Sequence, residues 1–224
     1  TGIIALIVGS LALRTDGIYF LMITLAFAQM LFSVAMRWSA VTGGSDGLIG
    51  IPRPEIDLGV WKYSFESRTA FYYFVVTTFV AIYFGLHNII HSPFGLALKG
   101  IKSNQMRMQA LGYKTLHYKI GVFVLAGVIA GIAGMLLSQF YWHASPENLY
   151  WTMSGQALIM VILGGVGTLI GPVIGATLMR LLPNITSTYT NNWQSYMGIM
   201  LIVFVLCAPN GIMGILLKKL KNNQ

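Results

Sequence analysis

The side chains that could take part in chemistry are few, and their largest cluster is cationic. Residues 92–119, SPFGLALKGIKSNQMRMQALGYKTLHYK, contain five Lys or Arg and no Asp or Glu. Such a segment can bind anionic lipid headgroups or an acidic face of a protein partner. We expect no nucleic-acid partner, because the basic residues of this chain stand at the ends of apolar runs and do not interleave with exposed aromatic residues.

No motif for catalysis or metal binding is present. The sequence lacks a G-x-x-x-x-G-K-[ST] loop, Ser-His-Asp spacing, CxxC and HExxH. The histidines, His87, His91, His117 and His143, stand at or near the ends of apolar runs, where interfacial roles are common. We therefore expect no enzymatic activity, no metal site and no cofactor in this chain.

Three polar side chains are candidates for contact with a small polar ligand. Gln29 and Ser33 are four residues apart in an apolar run, so they share one helix face, where a hydrogen bond between helices is the simpler use. Asp46, in TGGSDG, could bind an ammonium group or a partner protein, or could form an Asx turn.

Glycines supply the other candidates. LGGVGTLIGP interrupts an apolar run, and its exposed backbone could meet a carboxylate or amine at membrane depth, or could only bend the chain. The residues of this break that could contact a small ligand are Gly164, Gly165, Gly167 and Thr168. Small residues that allow close helix packing, within this chain or against a partner, are Gly127, Gly131, Gly134, Gly171 and Gly175.

The composition is that of a membrane protein. Of the 224 residues, 56% are hydrophobic and 9% charged, and the mean hydropathy is +0.71, whereas soluble domains are about a quarter charged. Several apolar runs exceed about 18 residues and are apolar on every side, which favours membrane-spanning helices over barrel strands. We predict an all-α, polytopic protein with one transmembrane domain over residues 1–224.

About five spans and one re-entrant hairpin are predicted. The spans are a truncated helix at 2–13 and full crossings at 17–36, 70–90, 120–140 and 193–216. Residues 153–182 would form two half-helices that enter and leave on one face, although two short tilted spans are an alternative. Because basic residues favour the cytoplasm, the 92–119 segment and Arg14 are placed inside, and the 39–68 and 141–152 loops outside.

The basic segment itself has the pattern of an amphipathic helix. Ser92 suits the N-cap, Pro93 the first helical position and Gly112 the end. The apolar residues recur at helical spacing and are Phe94, Ala97, Leu98, Ile101, Met108 and Leu111. One continuous helix over 92–113 is predicted, which could rest on headgroups or dock a soluble partner.

Blocks along nearly the whole chain resemble the permease subunits of branched-chain amino acid ABC importers, in particular the LivM-type half. They are GIYFLMITLAFAQM, TGGSDGLIGIPRP, the 92–119 segment, FVLAGVIAGIAGML, SPENLYW, SGQALIMVILGGVGTLIGP and APNGIMGIL. Family members usually carry several helices upstream of the position of Thr1, so we expect this sequence to be part of a longer chain.

The resemblance implies a bacterial inner-membrane permease that moves leucine, isoleucine and valine by alternating access. It implies a LivH-like second permease, two cytoplasmic ATPases that hydrolyse ATP, an extracytoplasmic binding protein and membrane lipid as partners. A permease for urea or another small amide, and a self-sufficient channel or secondary transporter, are the alternatives. The residues that would couple to the ATPases are Phe94, Leu98, Lys99, Ile101, Lys102, Arg107, Leu111, Gly112 and Tyr113.

Overall fold

The computed structural model describes residues 1–52, 55–57, 62–64 and 67–189, with the single residues 198, 211, 213 and 214. The chain divides into two compact units, Thr1–Tyr150 and Trp151–Gln224. The predicted crossing at 193–216 lies outside the described residues, apart from isolated positions.

The first unit is mostly helical. Its helices are α1 (Gly2–Ala12), α2 (Ile18–Arg37), α3 (Ser39–Thr42), α4 (Arg68–His91), α5 (Pro93–Ser103), α6 (Gln105–Ala110) and α7 (Thr115–Tyr141). Short 3-10 turns lie at Gly44–Asp46 and Pro146–Leu149.

The prediction of an all-α fold omitted four short strands. In the first unit, β1 (Leu48–Ile49) pairs antiparallel with β4 (His143–Ala144), and β2 (Glu55–Asp57) pairs with β3 (Lys62–Ser64). Two- and three-residue strands carry too little alternation of polar and apolar residues to be recognised from sequence.

Within the described residues, three helices are long and apolar enough to cross a membrane, which confirms the predicted helical spans near 17–36, 70–90 and 120–140. They are α2 with 20 residues, α4 with 24 and α7 with 27. Their apolar surfaces are largely exposed within this chain, as expected of helices that face lipid or neighbouring subunits. The prediction placed the start of the third span too late, since α7 begins at Thr115 rather than at residue 120.

The short helix α1 packs antiparallel on α7 through small residues. A Cβ added at Gly127 would lie 2.5 Å from the Cβ of Ala5, and a Cβ added at Gly131 would overlap the side chain of Thr1. In return Gly9 accommodates the ring of Phe123, because a Cβ at Gly9 would lie 2.7 Å from that ring. Backbones can approach this closely only where side chains are absent or small.

The loops of this unit lie at the two opposite ends of α7. At the start of α7, Lys119 Nζ lies 3.2 Å from Asp16 Oδ1, which joins the α1–α2 turn to the end that holds α5 and α6. At the finish of α7, β1 pairs with β4 and the Pro146–Leu149 turn packs on α2. We call the start of α7 the elbow end and the finish of α7 the loop end. Segments that the sequence predicts on the same side of the membrane lie at the same end.

The second unit contains a helical hairpin, α8 (Trp151–Gly164) and α9 (Gly171–Tyr189), which pack against each other. The predicted glycine break is confirmed at residues 165–170. With 14 residues, α8 is about 21 Å long, which is shorter than a hydrocarbon core of roughly 30 Å. The re-entrant path stays a prediction.

Candidate functional site

The basic segment is folded as two helices, α5 and α6, which meet at Asn104; we call residues 93–111 the basic elbow. The prediction of one continuous helix over 92–113 is therefore wrong. Asn104 has extended backbone angles, φ −159° and ψ 104°, and its Oδ1 accepts a hydrogen bond from the Arg107 backbone N–H at 2.9 Å. An asparagine that caps the next helix stops the previous one, because its side chain replaces the bond that a helical carbonyl would supply.

The first helix of the elbow begins at a tight corner after α4. The Ser92 hydroxyl accepts from the Gly95 backbone N–H at 3.4 Å and donates to the Ile89 carbonyl oxygen at 2.6 Å. A Cβ at Gly95 would overlap the carbonyl oxygens of Ile89 and Ile90. Ser92 and Pro93 therefore occupy the predicted cap and first helical positions, and glycine is required next to them.

One face of α5 packs into the protein. Ala97 and Ile101 are buried, and Phe94 stacks on Tyr118 of α7 with 5.5 Å between ring centroids and 25° between ring planes. Leu98 is half-buried. The face predicted from helical spacing is therefore the face that α5 buries.

The predicted pattern does not hold in α6, because the break changes the direction of the chain. Leu111, predicted on the buried face, is 67% exposed, and Met106 is 81% exposed. Gly112 has φ +87°, which follows the end of α6, and Tyr113 lies 6.0 Å from Tyr118 between ring centroids.

The cations of the elbow face water. Lys99, Lys102 and Arg107 are all exposed, and none has an ion pair with a carboxylate within the described part of the chain. With Leu96, which is 61% exposed, the elbow presents both cations and large apolar side chains. This mixture can bind a surface that is acidic and partly apolar.

A polar hollow of about 270 Å³ lies between the elbow and the α1–α2 turn. On its wall, Gln109 Nε2 donates to Thr115 Oγ1 at 3.0 Å, and Thr115 is buried. Asp16 and Lys119 line the same hollow. Sequence reasoning missed these links, because they join residues whose proximity depends on how three helices pack.

No hydrogen bond among the described residues joins Gln29, Ser33 and Asp46, the candidate ligand contacts of the first unit. Gln29 is exposed and Ser33 half-buried on α2. Asp46 is exposed in the turn that packs against α2, and its Oδ1 accepts from the Ser45 hydroxyl at 3.2 Å.

One buried polar residue escaped prediction. Gln139 on α7 is 8% exposed, and its Oε1 has no hydrogen-bond partner among the described residues. The sequence feature that could have identified Gln139 is the one that identified Gln29, an amide side chain within an apolar run.

In the second unit the glycines serve the contact between α8 and α9. A Cβ at Gly164 would overlap the Gly171 carbonyl, and one at Gly175 would overlap the Met160 carbonyl. Thr168 Oγ1 accepts from the Gly171 N–H at 3.1 Å and so caps the start of α9. Gly165 and Gly167 have φ of +119° and +100°, which the turn requires.

The sequence was compared with known proteins. Residues 1–208 match the family model described as branched-chain amino acid transport system / permease component. The chain belongs to this family. The three candidate membrane spans among its described residues are typical of a multi-pass membrane protein, and the elbow and the glycine hairpin lie within the part that matches the family.

Curated relatives of this permease include both types of subunit. It is 23% identical to the high-affinity branched-chain amino acid transport system permease protein LivM of Salmonella typhimurium and 24% identical to that of Escherichia coli, in each case over 96% of this chain and 55% of the relative. It is 28% identical to LivH of Escherichia coli over 62% of this chain and 46% of the relative. The permease thus spans about half the length of the LivM proteins that it matches. No solved structure matches it.

Proposed function

We propose that this chain is the LivM-like membrane subunit of an ATP-driven importer, and that it translocates leucine, isoleucine and valine by alternating access. The family membership supports permease function, and the similarity to LivM supports the substrate class. The chain itself would hydrolyse no ATP. That step belongs to two cytoplasmic ATPases, alongside a LivH-like permease and an extracytoplasmic binding protein.

The observation that carries the coupling role is the exposed surface of the basic elbow. Met106 and Leu111 are 81% and 67% exposed beside the exposed cation Arg107. Protein interfaces are enriched in Met and Arg, and covering an exposed pair of large apolar side chains with a partner lowers the free energy. We infer that an ATPase subunit binds here.

The elbow is attached firmly enough to transmit a displacement. Phe94 stacks on Tyr118, and Gln109 is hydrogen-bonded to Thr115, so both halves of the elbow contact the first turns of α7. From α7 the displacement reaches α1, which packs closely on it through small residues and the Phe123 ring. ATP-driven closure of the ATPases would thus move α7 and α1 together.

Transport requires that the substrate bind differently in the outward-open and inward-open states. Gln29, Ser33 and Asp46 are proposed contacts for the zwitterion in the first unit, and the glycine turn at 164–168 is a separate candidate in the second unit. Thr168 and Gly164 have structural roles in the hairpin, so they would act by shaping the turn and its exposed backbone groups.

Cross-linking tests the coupling surface. In a background in which Cys207 is replaced by serine, Met106→Cys is expected to form an adduct with a copurified ATPase subunit. Ser45→Cys, exposed at the loop end, is the matched control and should form none. If Met106→Cys formed no adduct with the ATPase in the assembled complex, contact of the elbow with lipid headgroups would be favoured and the coupling role contradicted.

Charge reversal provides an independent measurement. Lys99→Glu, Lys102→Glu and Arg107→Glu together should lower ATPase affinity by about threefold to 150-fold, since exposed charge pairs contribute about 0.2–1 kcal/mol each. Arg37→Glu, an exposed cation at the loop end, should leave ATPase binding unchanged. A self-sufficient channel would conduct equally in both variants.

The substrate is tested by uptake into vesicles that contain the partner subunits. Labelled leucine should enter with ATP and compete with isoleucine and valine, but not with urea. Urea uptake without leucine uptake would assign the chain to a small-amide permease.

A further inference from the structure

A crevice of about 550 Å³ lies at the loop end of the first unit, away from the basic elbow. Its described lining consists of one cation, one aliphatic side chain and four aromatic ones. These residues are Arg68, Phe71, Tyr72 and Val75 of α4, with Phe140 of α7 and Trp142 after it. This volume is in the range of pockets that bind small organic molecules.

The α4 side of the crevice follows a single helix face. Arg68, Phe71, Tyr72 and Val75 are spaced i, i+3, i+4 and i+7, so the crevice runs about 10 Å along the helix from its first residue. Arg68 is exposed at the rim, while Phe71 is buried. The crevice therefore changes from cationic to apolar along its length.

Its position corresponds to a membrane–water boundary. Arg68 is the first residue of one candidate span, and Trp142 directly follows the last residue of another. Tryptophan and arginine side chains favour the headgroup level at such boundaries.

Trp142 is held there by an unusual backbone. Its φ of 58° makes it the single non-glycine residue with positive φ among the described residues. The Trp142 carbonyl accepts backbone hydrogen bonds from Gly50 at 2.9 Å and Ile51 at 3.3 Å. Left-handed backbone at a bulky residue costs about 1–3 kcal/mol, and such positions cluster at ligand sites.

We propose that this crevice binds a phospholipid, with the phosphodiester at Arg68 and an acyl chain along Phe71, Val75 and Trp142. A guanidinium pairs well with phosphate oxygens, and Arg68 has no ion pair with a carboxylate in the described ranges. This site goes beyond the transport function and does not depend on it.

Fluorescence quenching by brominated phospholipid tests the proposal. The full chain is reconstituted in vesicles of phosphatidylethanolamine and phosphatidylglycerol, with Trp142 as the sole tryptophan and the other four replaced by phenylalanine. A low mole fraction of brominated lipid should quench Trp142 more steeply than Trp38 in the matched single-tryptophan chain. Trp38 is a suitable control because it is 56% exposed and follows α2 at the same end.

Two substitutions probe the two parts of the site. Arg68→Gln should raise the mole fraction for half-quenching of Trp142 roughly fivefold, the value of one cation near a phosphate surface. Val75→Phe, which fills the crevice without changing charge, should also raise it. Arg37→Gln should not, and circular dichroism should show equal helix content in all variants.

The brominated acyl chain is placed on each headgroup in turn. Quenching by both lipids supports recognition of the shared phosphodiester. Equal quenching curves for Trp142 and Trp38 would overturn the proposal. Absence of quenching of Trp142 by either lipid would also overturn it, because a protein segment would then shield the crevice from lipid. Insensitivity to both Arg68→Gln and Val75→Phe would also overturn it.

Discussion

The side-chain amide of Gln109 donates a hydrogen bond to the hydroxyl of Thr115 at 3.0 Å and so connects α6 to the first residue of α7. Thr115 is 4% exposed, so water cannot readily replace this bond. The bond therefore favours movement of α6 together with the span that follows it.

Loss of this bond should reduce transport per ATP hydrolysed more than it reduces ATPase binding. Gln109→Ala leaves the Thr115 hydroxyl without this donor, and a net contribution of about 0.5–1.5 kcal/mol is lost. The measurement is the ratio of leucine uptake to ATP hydrolysis in vesicles, with Met106→Cys cross-linking as the check on docking. In a double-mutant cycle Gln109→Ala and Thr115→Val should be non-additive; strict additivity would show that the bond transmits nothing.

The corner between α4 and α5 should tolerate no side chain. Gly95→Ala places a Cβ against the carbonyl oxygens of Ile89 and Ile90, which cannot move without disrupting the end of α4. Overpacking of this kind costs about 1–3 kcal/mol, so the thermal midpoint of the purified chain should fall by several degrees.

Gly85→Ala is the matched control for that corner. Gly85 lies in α4, and an added Cβ there meets nothing within 4 Å. Because alanine favours helix over glycine by up to about 1 kcal/mol, this variant should melt at or above the temperature of the original chain. Equal destabilisation by both changes would contradict a steric origin for the requirement at Gly95.

Sequence reasoning recovered the features that depend on local pattern. The three long spans and the glycine break follow from runs of apolar residues and from helix breakers, which act over a few neighbouring residues. The prediction of one helix across Asn104 was wrong, because the helical spacing of apolar residues continues across it. Only the capping preference of asparagine indicates that a helix ends there.

The contacts between distant segments could not be predicted in the same way. Asp16 and Lys119 are 103 positions apart, and nothing in either local sequence indicates the other. The exposure of Leu111 has the same origin, since it depends on the turn at Asn104.

The two glycines of the α7 stripe should respond differently to a larger side chain. Gly131→Val would collide with Thr1 of α1, whereas a Cβ at Gly134 meets nothing within 4 Å. Gly131→Val should therefore lower the thermal midpoint of the isolated chain, and Gly134→Val should leave it unchanged. If Gly134→Val instead weakens copurification with a second permease, that position contacts the partner; destabilisation of the isolated chain by Gly134→Val would contradict the described packing.

The hairpin of the second unit should depend on Gly175 in the same steric way. A Cβ at Gly175 would overlap the Met160 carbonyl and approach the Gly164 nitrogen at 2.9 Å, so Gly175→Ala forces α8 and α9 apart. Gly155→Ala, on α8 with nothing within 4 Å of its added Cβ, is the control and should be neutral or mildly stabilising. Accessibility of a cysteine at Val166 to a water-soluble thiol reagent, measured in vesicles with Cys207 replaced by serine, reports the position of the turn. Gly175→Ala should change that labelling rate and Gly155→Ala should not, because only the first alters how closely the two helices pack.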